Sequence, residues 1–157
     1  MATFADGLTL AQLPGLVGVM LGPTGPVTLT QERIDRFAKV TDDFQWIHTD
    51  PNRAATGPFG GTVAHGFLTL SLLSRLLGEL IDVRDAPTAL NYGLNRVRFP
   101  RPARAGSVVR ATAEILDAHQ DSRGLMLEAR VVMTADDNPK PVCVAESVTF
   151  YPAGELT

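Results

Sequence analysis

Residues 41–51 read Thr41-Asp42-Asp43-Phe44-Gln45-Trp46-Ile47-His48-Thr49-Asp50-Pro51, three carboxylates and an imidazole set among bulky apolar side chains. Such a set can move protons. Burial against apolar neighbours raises a carboxylate's pKa, and a nearby carboxylate raises an imidazole's, so both groups are drawn toward neutral pH, where acid–base catalysis works best. Asp and His are also ordinary loop residues, and a pair five positions apart, Asp43 and His48, gains weight only from what surrounds it. Asp50 before Pro51 has a plainer reading, a helix N-cap followed by proline at the first helical position. Cys143 alternates with Val142 and Val144 and has no charged neighbour, which makes it structural. The chain's one basic stretch holds Arg96, Arg98, Arg101, Arg104 and Arg110, with no acid between Asp85 and Glu114. Guanidinium forks grip phosphate, and Arg96 and Arg98 are the best placed; a solvated strand face or subunit rim is the alternative. Neither GxGxxG nor GxxxxGK[ST] occurs.

The elements that position these residues differ between the two halves. Val27 to Leu29 reads as a short strand, and Thr30 caps a helix from Gln31 to about Thr41 with Ile34, Phe37 and Ala38 on one face. Asp42 to Ala64 is a connection of functional length. From Gly66 to about Ile81, apolar residues cover nearly the whole helical wheel, which predicts a long buried helix; Ser71, Ser74, Arg75 and Gly78 share its remaining face. After Pro87 the period becomes two, in runs Leu90 to Phe99, Ser107 to Asp117, Leu125 to Thr134 and Val142 to Phe150. The connections Ala118 to Gly124 and Ala135 to Lys140 are rich in turn residues, so an antiparallel meander is expected. A sheet of four or five strands buries an all-round apolar helix most economically by curling around it, a hotdog-like α+β arrangement. Its open edges predict a homodimer or higher homo-oligomer.

Composition narrows the function. A chain of 157 residues, 45% hydrophobic, suits one domain over 1–157, with residues 1–26 as an N-terminal extension packed on it. Seventeen acids against 14 bases leave a formal charge of -3, which offers nucleic acid no positive field. One cysteine excludes an intrachain disulfide framework and any multi-cysteine zinc site, and suits the reducing cytoplasm. No lysine or arginine precedes the apolar stretch Leu8 to Leu21, unlike a secretory signal. The run Gly66 to Ile81 is 16 residues long and contains Arg75 and Glu79, short of the roughly 18 to 20 apolar residues that span a bilayer.

The segment resembles the signature of MaoC-like dehydratases and (R)-specific enoyl-CoA hydratases, Gly-Asp-x-Asn-Pro-Ile-His-x-Asp-Pro, followed 17 residues after the His by a His-Gly that opens the hotdog helix. Asp43, Ile47-His48, Asp50-Pro51 and Ala54 match, and His65-Gly66 stands at the same spacing. Asp42 replaces the Gly, and Gln45-Trp46 replaces Asn-Pro. With Gly57-Pro58-Phe59-Gly60-Gly61-Thr62 downstream, that variation is similar to the nodulation protein N-like branch. The likeness runs from about Val27 to Tyr151. It implies that Asp43 and His48 hold a water and add it across the double bond of a trans-2-enoyl-CoA thioester, giving a (3R)-hydroxyacyl-CoA without metal or redox cofactor. The Gly66 amide, at the positive end of the helix, is then the donor to the thioester oxygen. Ser74 falls where the family places a site-lining serine, with a helix–helix or backbone hydrogen bond as the alternative; Gln45 and Trp46 bear on loop shape and so on substrate, Trp46 lining the acyl tunnel or packing in the core; and Arg96 and Arg98 face the CoA phosphates. His65 orders the approach to the helix. Which of Asp43 and His48 is acid and which is base stays open, since each titration depends on the other.

Other functions compete. A hotdog acyl-CoA thioesterase needs only a carboxylate and an activated water, and a non-catalytic acyl-CoA-binding dimer needs neither. His48-Thr49-Asp50 with His119 formally matches the two-His, one-carboxylate set of non-haem iron oxygenases. That chemistry usually sits in a larger double-sheet barrel, and this chain has too few strands.

Overall fold

The computed structural model describes residues 7–136 and 138–154. Its first α-helix, α1 (Gln31–Thr41), starts where Thr30 accepts a hydrogen bond from the Arg33 amide, buries Ile34 and Ala38, and stops at Asp42 in the left-handed region. Two short helices follow, α2 (Trp46–Thr49) and α3 (Pro51–Ala55), the latter capped by the Asp50 carboxylate on the Arg53 amide at 3.0 Å. This is the capping role expected for Asp50 and Pro51.

The expected long helix is two pieces, α4 (Gly66–Ser71) and α5 (Leu73–Leu80), interrupted at Leu72. Thr69 and Ser71 turn their hydroxyls back onto the carbonyls of His65 (3.2 Å) and Leu68 (2.7 Å), and such back-bonding bends helices. Nor is it covered on all sides. Leu68, Leu72, Leu73, Leu76 and Leu77 are buried, whereas Phe67, Ser71, Ser74, Arg75 and Gly78 lie exposed along one face.

The strands are β1 (Met20–Leu21), β2 (Val27–Thr28), β3 (Leu90–Arg98), β4 (Val108–Asp121), β5 (Gly124–Ala135) and β6 (Asn138–Pro152). They form one antiparallel sheet in the order β1-β4-β5-β6-β3, with β2 also pairing β4. The meander expectation holds for β4 to β6; β3 instead crosses to the far edge beside β6. Period-two alternation buries Val109, Ala111, Ala113 and Ile115 of β4 against α5, while α4 packs on β6. Along the edge strand β3, Tyr92 and Leu94 are exposed.

Leu8, Leu13 and Leu21 of the N-terminal segment, which holds a 3-10 helix at Leu10–Leu16, are buried in the same core as the sheet and helices. The first six residues of the extension expected at 1–26 lie outside the described residues, as does Asp137 of the β5–β6 turn. Among the described residues, no helix is long and apolar enough to cross a membrane.

Candidate active site

The segment between α1 and α4 is shaped by backbone before side chains. Asp42 has φ 56, a conformation Asp tolerates and Gly adopts freely. That explains why the resembled signature has Gly at this position and why Asp can replace it. The turn delivers Asp43, whose side chain is 52% exposed and accepts the Gln45 amide at 3.4 Å.

His48 lies on α2 and is 7% exposed. Its Nδ1 is 2.6 Å from the Val63 carbonyl. A carbonyl only accepts, so Nδ1 carries the proton and Nε2 presents a lone pair. The backbone is clamped as well: Val63 donates its amide to Ile47 O at 3.0 Å, and Gln31 Nε2 donates to His48 O at 2.7 Å. Gln31 also donates to Asp35, and the Thr62 hydroxyl donates to Gln31 Oε1, so one side chain ties α1, α2 and the approach to α4. This role escaped the sequence reading, which placed Gln31 only in a first helical turn. Burial is the main force on the His48 pKa and lowers it. The bond to Val63 opposes that shift, His65 adds to it, and Asp43, expected to raise the value, makes the smallest contribution. The expectation of an upward shift is therefore corrected: His48 is held neutral.

Asp43, His48 and His65 each bring one polar atom within 4.8 Å of the others. Two hydrogen bonds of about 2.8 Å meeting on one water span ~4.6 Å, so a water can join two groups at this separation. A metal fits less well. His48 Nδ1 and His65 Nε2 are both committed to backbone carbonyls, and the two rings stack at 3.8 Å with 27° between planes, which keeps their in-plane lone pairs from converging. His119, the third member of the iron reading, is exposed on β4 and outside this cluster.

His48 opens onto a cavity of about 320 Å³ whose walls include Gly66, Phe59, Phe99, Thr69 and Arg101. Asp43 stands outside that lining. The Gly66 amide is in the first turn of α4, where N–H groups have no intrahelical acceptor.

The remaining expected residues are scattered. Ser74 lines a separate cavity of about 280 Å³ with Leu70, Leu73 and Leu94 and accepts Asn91 Nδ2 at 3.0 Å. Gln45 is the exposed N-cap of α2, and Trp46 packs between Arg53, 4.3 Å from its ring, and Gly57; neither lines the His48 cavity. Strand register settles Arg96 and Arg98. Val97, Ala145, Val131 and Ala113 pair across the core face, so Arg96, Glu146, Arg130 and Glu114 occupy the opposite one, and Arg98 shares it. Within a protomer the sheet separates both arginines from His48. The arginine that shares the cavity is Arg101, fixed by the carbonyls of Ala135 (2.9 Å) and Lys140 (3.3 Å).

An antiparallel sheet packed on a central helix makes this a hotdog-fold protein. Residues 17–137 match the family model of the MaoC like domain, and the chain belongs to the MaoC-like dehydratase and hydratase family. It is 46% identical over 147 residues to 3-hydroxyacyl-thioester dehydratase Z of Mycobacterium tuberculosis, covering 92% of this chain and 97% of that one. It is 39% identical over 146 residues to nodulation protein N of Rhizobium leguminosarum, covering 91% of each. The structure of an R-hydratase from Pseudomonas aeruginosa in the unliganded form superposes with TM-score 0.75 at 22% identity, covering 96% of this chain and 92% of that one.

Proposed function

We propose that the protein is a cytoplasmic hydro-lyase that adds water to a trans-2-enoyl-CoA to give a (3R)-hydroxyacyl-CoA, or runs the reverse dehydration. The observation that carries this is a neutral His48, its Nδ1 committed to the Val63 carbonyl, that clusters with Asp43 and opens on the cavity lined by Gly66. His48 Nε2 takes a proton from the water, whose oxygen bonds to the β-carbon. The electron pair of the double bond shifts toward the thioester, and the developing negative charge on its oxygen meets the Gly66 N–H. The Asp43–His48 unit stabilises the imidazolium and returns one proton to the α-carbon, so the water is added whole and no cofactor is required. A second copy of the chain along β3 completes this reading, since that edge has no partner strand and exposes Tyr92 and Leu94.

Crotonyl-CoA is the simplest probe. Wild type consumes the conjugated thioester without releasing free CoA, and Asp43→Asn and His48→Ala each lower kcat/KM by about 100-fold or more while the thermal melt stays close to wild type. Near-normal turnover in either variant rejects the mechanism. Release of free CoA at the rate of substrate loss identifies a thioesterase instead.

A further inference from the structure

The mechanism above does not use the imidazole that stacks on His48. His65, 2% exposed, is reached from three sides. Its ring lies 3.8 Å from that of His48 and 5.0 Å from that of Phe37 on α1. Its Nε2 donates to the Asp43 carbonyl at 3.0 Å and lies 4.0 Å from Asp43 Oδ2. Its Nδ1 is buried without a hydrogen-bond partner.

A buried ring nitrogen with no partner is a standing penalty that a phenyl ring in the same slot would avoid. The imidazole is kept where two properties are needed at once, a flat face and an N–H on one edge. A phenyl ring lacks the donor and an amide lacks the face. We propose that His65 is the positioning residue of the Asp43–His48 pair: its N–H fixes the backbone that carries Asp43, its face sets the plane of His48, and the two groups thereby aim at the same water. This rests on the hydratase reading, in which both must act on one molecule.

His65→Phe removes the donor and keeps the ring; His65→Gln does the reverse. With crotonyl-CoA, each lowers kcat by about 10- to 100-fold and leaves KM within ~3-fold, the pattern of displaced catalytic groups rather than lost substrate binding. A double-mutant cycle supplies the readout that a packing role does not move. Because His65 acts through Asp43, His65→Phe costs little more once Asp43→Asn is present. Additive losses, or single variants with wild-type kcat, overturn the proposal. Should both variants fail to fold, nitrogen-15 spectra of the wild-type protein decide it: His65 is expected as the Nε2–H tautomer with a bare Nδ1, and a proton on Nδ1 overturns the assignment. Wild type without turnover on any enoyl-CoA refutes the hydratase reading instead, and the tautomer measurement still judges the clamp on Asp43.

Discussion

Replacing Gly66 with alanine separates stability from activity. A Cβ at Gly66 falls 3.2 Å from Cδ2 and Cε2 of Phe99 and 3.4 Å from its Cγ, so the ring must retreat by a few tenths of an ångström. It has room to do so, being 41% exposed and touched edge-on by the still more exposed Phe67, with centroids 6.4 Å apart. Gly66 does not use the left-handed region, and alanine is favoured over glycine by about 0.5–1 kcal/mol in a helix interior and by less at a first helical position such as this. The folded state therefore stays as stable as wild type or gains up to ~1 kcal/mol, a rise of at most about 4 °C in Tm for a chain of this size. Activity moves the other way. The methyl enters the cavity that Gly66 shares with His48, and a substrate displaced by about 1 Å loses on the order of 100-fold in rate. The assay pairs a thermal melt with crotonyl-CoA hydration. Wild-type kcat/KM in Gly66→Ala would show that the reacting thioester lies elsewhere, and a Tm far below wild type would refute the packing argument.

Three further outcomes concern His48 and its surroundings. Its lowered pKa places the acid limb of the kcat/KM profile below pH 6.5, the ordinary histidine value; a limb above it refutes the neutral-base assignment. The same shift links to stability. The folded state resists a proton that the unfolded chain accepts, so this contribution is fully present above pH 6.5 and is lost as the pH falls below it, measurable as a falling Tm. Gln31→Leu leaves the His48 carbonyl and the Thr62 hydroxyl without their partner, and urea unfolding should register a loss of about 1–3 kcal/mol together with a reduced kcat. An unchanged kcat would show that the Gln31 clamp does not bear on the proposed role of His48.

How much of this was legible in the sequence depended on the range of the interaction. Thr30 at the start of α1 and Asp50 before α3 were readable because a cap is set by residues three apart. The strands β4 to β6 were readable because alternation is local and their turns are short. The placement of β3 beside β6 was hidden, since nothing in Leu90–Arg98 says which edge it joins. The placement of Arg96 and Arg98 on the sheet face away from His48, and of Arg101 beside its cavity, was hidden for the same reason: which face a strand residue takes depends on cross-strand register. The interruption at Leu72 comes from hydroxyls that the hydrophobic pattern does not weigh. At the site, spacing brought out Asp43, His48 and Gly66. The roles of Gln31 and His65 needed contacts across 17 and 22 positions. The direction of the His48 shift turned on burial, which local composition underestimated beside the visible carboxylates.

Trp46, two residues from His48, is the chain's only tryptophan. The Arg53 cation lies over its indole and Gly57 leaves space for its far edge, two neighbours from the segment that carries the imidazole. Its ultraviolet emission is therefore a native optical probe of that segment. On gradual heating, fluorescence that changes ahead of the far-ultraviolet circular dichroism marks a segment around His48 that loosens first, and coincident curves mark one that melts with the whole.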